Sequence, residues 1–341
     1  MTLFPVLGSV DRSGISLHDM LFFDIETTGL SGGAGTYLFL AGFLRATESG
    51  FNLRQYLLHS PSSERIYLSE IGKELMTQDF LVSYNGKSYD YNILKNRYIM
   101  AGLPFFSEEH VHLDLLYTSR RIWRGLFPDY SLSTVERRAL QVMRRDDIPG
   151  WQIPDVYAGY LRGRGVTGDM LRILRHNRED VLSLLALLVK QMKLIGETAE
   201  SDMHESEAFN PITLSDMLLN GDKREQARTV LSVHSDSIEA LKRLALMCKR
   251  ELQFDEALKF LEDMCARSVG LEDYIFACTE AAKIYEHRLR DYHAALRSTE
   301  RMLSRIERAG YLAVGPDTEQ ERARILHRWK RLKRKLALRE N

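Results

Sequence analysis

Long apolar runs are missing from this chain. The longest, VLSLLALLV at 181–189, is about half the length needed to cross a bilayer, which excludes a membrane-spanning helix. The opening MTLFPVLGSVDRSG has no basic cluster followed by an apolar core, so no secretory signal is expected. Cysteine is scarce. Cys248, Cys265 and Cys278 all fall in the C-terminal half without metal-ligand spacing, which excludes a disulfide framework and points to reduced core thiols. A cytoplasmic protein is expected. Net charge is absent too: 47 basic residues balance 47 acidic ones, so no global field draws the chain to nucleic acid or membrane. The Gly-rich SGGAGTY (31–37) lacks the Lys-Ser/Thr of a phosphate-binding loop, which removes a nucleoside-triphosphate reading.

A length of 341 residues suggests two domains, each with its own core. After a lead-in over 1–18, the stretches DMLFFDIETTG, TYLFLAGFLRA and FNLRQYLLHS read as an antiparallel meander. SERIYLSEIGKELM has helical spacing, DFLVSYN reads as a strand, and SYDYNILKNRYIMAG as a helix ending at Gly102. HVHLDLLYTSRRIW passes from strand to helix. In SLSTVERRAL, Ser133 and Glu136 have the spacing of a capping box. Residues 169–195 form one helix with a dense apolar face. Strands alternating with helices predict an α/β domain over 19–198, a mixed sheet flanked by helices. From 208 to 341 only helices are expected. Segments starting near 224, 255 and 293 bracket the tetratricopeptide period of about 34 residues; an ordinary helical bundle fits the same pattern.

The chemistry concentrates in three places. In LFFDIETTGL, Asp24 and Glu26 are two apart on a strand and share a face. Side-by-side acids at the end of an apolar strand need a compensating charge, and a divalent cation with oxygen ligands supplies one. In SYNGKSYDYNIL, Asp90 opens a helix, where an acid also simply satisfies the helix dipole. In HNREDVLSL, His176 and Asp180 are four apart on one helical face beside the anchoring Val181, Leu184, Leu185 and Leu188. Four carboxylates and a histidine from separate segments suit two divalent ions about 3.5–4 Å apart clamping a phosphodiester. His176 is then the candidate general base.

DIETTGL, YNGKSYDYNIL and HNREDV, in that order, resemble the three motifs of the DEDD exonuclease superfamily, which has an RNase H-like fold. With GLSGGAGTYLFLAGF, SLSTVERRAL and DDIPGWQIPDVYAGYL, and with the tetratricopeptide-like tail, the chain is similar to the bacterial YprB-like exonucleases. The resemblance implies a metal-dependent 3′→5′ exonuclease that uses two divalent metal ions, Mg²⁺ or Mn²⁺. Asp24 would bridge both metals, Glu26 and Asp180 would hold the one that activates water, and Asp90 would serve the other. His176 would be the base, although His–Asp spacing in proofreading relatives is five and here is four, the spacing usual with Tyr. Thr27, Thr28, Gly29 and Leu30 would line the 3′-terminal nucleotide.

Tyr84, Asn85 and Lys87 precede Asp90, within reach of a phosphate or base. Arg120, Arg121, Arg124, Arg137, Arg138, Arg162, Arg164, Arg175 and Arg178 cluster near the motifs, as phosphate contacts require and as solvated helix faces also allow. His112 and Asp114 are read as structural. Residues 321–341 hold nine Arg or Lys against two Glu. Their stripe of Ile325, Trp329, Leu332 and Leu336 predicts docking on the tail with a basic face outward, for nucleic acid or for solubility. The expected substrate is single-stranded or 3′-ended DNA, in DNA repair. A helicase acting through the tail is the protein partner that the resemblance suggests, with no membrane association. The competing readings are an RNase or structure-specific endonuclease with the same site, and a non-catalytic tetratricopeptide scaffold.

Overall fold

The computed structural model describes residues 15–29, 35–105, 110–164, 167–197, 208–309 and 316–340. The chain divides into two compact units, Met1–Lys223 and Arg224–Asn341.

The first unit is built on five strands: β1 (Met20–Thr27), β2 (Leu38–Thr47), β3 (Gly50–Leu57), β4 (Phe80–Ser83) and β5 (Val111–Asp114). Their order across the sheet is β3-β2-β1-β4-β5. The first three form the expected antiparallel meander, and β4 and β5 join in parallel through helical crossovers. The sheet is therefore mixed, and β1 lies at its centre. Central position explains the unbroken apolar run: Met20, Leu21, Phe22 and Phe23 are all buried. The helices are α1 (Glu64–Leu75), α2 (Asp90–Met100), α3 (Leu115–Ile122), the short α4 (Leu132–Val135), α5 (Ile153–Leu161), α6 (Thr167–Glu197) and α7 (Pro211–Asn220). Phe23, Ile25, Phe39 and Ile71 share a core with Leu94, Tyr157 and Ile173.

Two local details differ from the sequence reading. Ser131, not Ser133, caps α4 by accepting from the Thr134 N–H, and Glu136 turns inward instead of completing a capping box. The helix α7, grouped by sequence with the tail, falls within the first unit. Asn210 Nδ2 donates to the Arg124 carbonyl at 3.0 Å, and the Asn210 N–H donates to the Ile122 carbonyl at 2.7 Å, fixing α7 to the end of α3.

The second unit is all-α in its described residues. Its helices are α8 (Arg224–Val233), α9 (Ile238–Arg250), α10 (Phe254–Arg267), α11 (Leu271–Ile284), α12 (Tyr292–Ala309) and α13 (Pro316–Glu340). Each packs on the next in sequence order. The basic α13 docks as its stripe predicts, with Ile325 and Leu332 buried. Buried Glu286 accepts from Arg331 Nη2 at 2.7 Å and Lys335 Nζ at 2.8 Å, which fastens α13 to the turn after α11.

Candidate active site

The sheet places Asp24 opposite Gly42 of β2, and Glu26 opposite Leu40. The β1–β2 register shifts between Glu26 and Thr27, so regular pairing is interrupted where the acids end. The long helix α6 crosses this end of β1 through Asn177. Its Nδ2 donates to the Asp24 carboxylate at 2.9 Å and to the Asp24 carbonyl at 3.2 Å, while its Oδ1 accepts from Gln55 at 2.9 Å. Gly42 is what permits this approach. A Cβ there would lie 2.2 Å from Asn177 Oδ1 and 3.1 Å from Val181 Cγ2.

Asp90 opens α2 and is buried. The loop before it is held by Asp114, which accepts from the Asn85 N–H at 2.8 Å and the Lys87 N–H at 3.1 Å, and caps α3 through Leu116. Gly86 allows the loop to close: a Cβ would sit 2.4 Å from Ser83 Oγ and 2.9 Å from Asp90 Oδ2. His112 hydrogen-bonds Ser83 Oγ at 2.7 Å, and burial pushes it down to about 4, so it is neutral. Asp114 and His112 thus support the loop that carries Asp90.

The structure brings together the acids that the sequence singled out. One oxygen each from Glu26 and Asp180 and a ring nitrogen of His176 lie within 4.8 Å of one another. Asp24 is raised well above the usual carboxylate range by burial, then by Asp180, Glu26 and Asp90. Glu26 is raised by burial, then by Asp180 and Asp90. Asp90 is pushed up to about 7 by burial, Asp114 and Asp180. Asp180 is raised by burial, against the lowering effects of His176 and Arg144. Each acid suffers from its neighbours, so the group is assembled against its own repulsion. Oxygen donors with one imidazole, gathered this way, fit a hard divalent cation.

Two further neighbours of the site, Asp147 and Arg144, were not found in the sequence. His176 Nδ1 is 2.7 Å from Asp147 Oδ1, which leaves Nε2 facing Asp180 at 3.4 Å. Arg144 bridges Glu136 and Asp180 with its guanidinium. Burial lowers Arg144, but Asp180 and Glu136 outweigh that and raise it, so it stays charged. Asp147 and Arg144 come from the irregular segment between α4 and α5, where no periodicity signals a direction.

The remaining candidates fall around this centre. Thr27 Oγ1 donates to the Gly29 carbonyl at 2.9 Å, Thr28 Oγ1 accepts from the Tyr37 N–H at 2.9 Å, and Tyr89 donates to the Gly29 carbonyl at 3.0 Å. The Thr-Thr-Gly turn is therefore a braced rim beside Glu26. Tyr84 donates its hydroxyl to the Tyr130 carbonyl at 2.7 Å, so it anchors its loop. Asn85 and Lys87 are exposed on the same loop. Leu30 and most of SGGAG lie outside the described residues.

A mixed five-stranded sheet with acids converging at its central strand is the arrangement of a nuclease-type fold. A profile for the RNase H superfamily matches residues 21–192, and the chain belongs to that superfamily. It is 32% identical over 305 residues to an uncharacterized protein, YprB, of Bacillus subtilis (strain 168), an alignment covering 87% of this chain and 72% of that protein.

Proposed function

We propose that the protein is a metal-dependent 3′→5′ exonuclease that hydrolyses phosphodiester bonds of DNA, acting in DNA repair in the cytoplasm. The observation that carries this reading is the convergence of Asp24, Glu26, Asp90 and Asp180 from β1, α2 and α6: all four are raised by burial, and Asp180 further raises each of the other three. Two divalent ions, Mg²⁺ or Mn²⁺, would supply an acidified water and a positive counter-charge for the phosphate. Asp24 would hold both ions, Glu26 and Asp180 one, and Asp90 the other. His176 Nε2 is the proton acceptor for the attacking water. Asp147 holds the opposite ring nitrogen, so the imidazole presents one edge to the site. Asn177 keeps the Asp24 carboxylate in one rotamer. The braced Thr27–Gly29 rim lines the terminal nucleotide. Water attacks phosphorus, the P–O3′ bond breaks, and the departing 3′-oxygen takes up a proton from solvent.

The test is a time course on 5′-labelled single-stranded DNA and matched RNA with Mg²⁺, Mn²⁺ or EDTA. The expected result is a metal-dependent ladder shortening from the 3′ end, absent in Asp24→Asn. Internal cuts would replace the exonuclease with an endonuclease, and cleavage of RNA alone would replace DNA. Cleavage unchanged in Asp24→Asn would remove the site assignment. A wild type inert on every substrate would leave a helical scaffold whose tail binds a partner.

A further inference from the structure

The site accounts for one face of α6. The neighbouring face of the same helix does something else. Arg175, Arg178, Leu182, Ala186, Lys190 and Lys193 follow one another at helical spacing. Two cavities lie along this face. One, of about 610 Å³, is lined by Arg144, Arg145, Arg175 and Arg178 with Val142, Met143 and Leu182. The other, of about 580 Å³, is lined by Arg138, Lys190 and Lys193 with Trp123 and Phe127. Leu140 and Ala186 line both, so the two adjoin. At about 1.5 Å per residue, Arg175 and Lys193 stand roughly 27 Å apart along the helix.

We propose that this pair of adjoining cavities, a groove along α6, is a track for single-stranded nucleic acid leading to the carboxylates, an assignment that rests on the nuclease reading above. Three observations support it. First, position: Arg144 and Glu179 line the groove, and Arg144 also touches Asp180. Second, charge. Among the described lining residues, Arg138, Arg145, Arg175, Arg178, Lys190 and Lys193 are accompanied by one acid, Glu179, which lies 3.8 Å from Arg178. Arg145 and Arg175 are exposed, and neither has a carboxylate partner among the described residues. A chain of zero net charge that gathers six cations into one groove has made a local field for a polyanion. Third, apolar surface. Met143 is 78% exposed, Val142 44% and Leu182 43%, all in the same groove. Exposed apolar side chains interleaved with cations suit unstacked bases, whose faces are apolar and whose phosphates are not. Phe127, stacked on Trp123 with centroids 5.5 Å apart, gives the far cavity an aromatic wall. Among the described lining residues, amides are few: the first cavity has no Asn or Gln, and the second has Gln141 alone. Base edges are therefore read weakly, and binding is indifferent to sequence.

The experiment measures fluorescence anisotropy of a labelled oligothymidylate and of a circular single strand, in EDTA, over a salt series. It compares wild type with the triple variant Arg145→Gln, Arg175→Gln, Arg178→Gln, whose folding is checked by circular dichroism. Single strands lose about 0.7 in log–log slope per phosphate contact, so the triple variant should flatten the salt slope by about 2 and weaken low-salt binding on the order of tenfold or more. The circular strand, which has no 3′ end, should show the same loss. Unchanged affinity and slope in the triple variant would overturn the track. So would a blunt duplex that binds as tightly as the single strand and loses the same slope. If wild type binds strands with the expected slope but hydrolyses nothing, the exonuclease reading fails and the track stands.

Discussion

Asp90→Asn is the substitution that reads the site's internal repulsion most directly. Asp90 rises from 3.8 to about 7 because it is buried and faces Asp114 and Asp180. Its position at the start of α2 works the other way, since the helix dipole favours an anion there; burial and the two acids win. The folded state therefore binds this proton more tightly than the unfolded state does. Stability from this group is fully present below about 4, and it is lost as pH rises through about 7. At about 1.36 kcal/mol per unit, the ionised Asp90 costs on the order of 4 kcal/mol above neutrality. Asparagine keeps the shape and cannot ionise. Without metal, Asp90→Asn should match wild type near pH 4 and gain on it steadily up to pH 7. At pH 8 the gain should be on the order of 10 °C in Tm, taking roughly 2–4 °C per kcal/mol for a unit of this size. Saturating Mn²⁺ should reverse the order, because wild type gains the binding energy of the ion and the variant gains less. The assay is differential scanning fluorimetry from pH 4 to 8.5, in EDTA and in Mn²⁺. A gain that does not change with pH, or no gain at pH 8, would refute the reasoning.

Gly42→Ala places a methyl group on Asn177 and Val181. It should destabilise by about 1–3 kcal/mol in urea unfolding and lower activity through Asp24 without touching a carboxylate. Arg144→Met leaves Glu136 buried beside Asp180 with no cation between them. It should cost about 3–5 kcal/mol by the same measurement, and Arg144→Lys should recover part of it. Cys265 and Cys278 meet across α10 and α11 with sulfurs 3.2 Å apart. Mild oxidation with diamide should join them and leave Cys248 free, as peptide mapping by mass spectrometry will show. A Cys248-containing linkage would contradict the packing of these helices.

The parts legible in the sequence are those where periodicity and chemistry coincide. The meander was readable because β1 to β3 follow one another through short links. Asp24 and Glu26 were readable because strands alternate faces, and His176 and Asp180 because helices repeat every turn. What periodicity cannot carry is the path of an irregular segment. Arg144 and Asp147 sit between α4 and α5, and only the fold shows that this segment returns to α6. Glu136 illustrates the opposite failure. Its spacing from Ser133 suggested a local cap, but tertiary structure recruits it to hold Arg144. Asn177 was hidden between two conspicuous neighbours. Nothing local distinguishes an asparagine that binds Asp24 from one that faces solvent. The groove on α6 was legible only in pieces: Arg138, Arg175 and Arg178 stood out, while Met143 and Val142 did not.

The hydrogen bond from Asn177 to Asp24 spans 153 positions of sequence. On the ribosome, β1 emerges long before α6 does. Until α6 docks, Asp24 and Glu26 have no Asn177 to orient them, no Asp180 to complete them and no His176 beside them. If the proposed exonuclease site is right, a nascent chain, or one released early by a stalled ribosome, carries an inert sheet end while it is surrounded by nucleic acid. Of the elements that carry the proposed site, α6 is the last to be synthesised and the one that completes it.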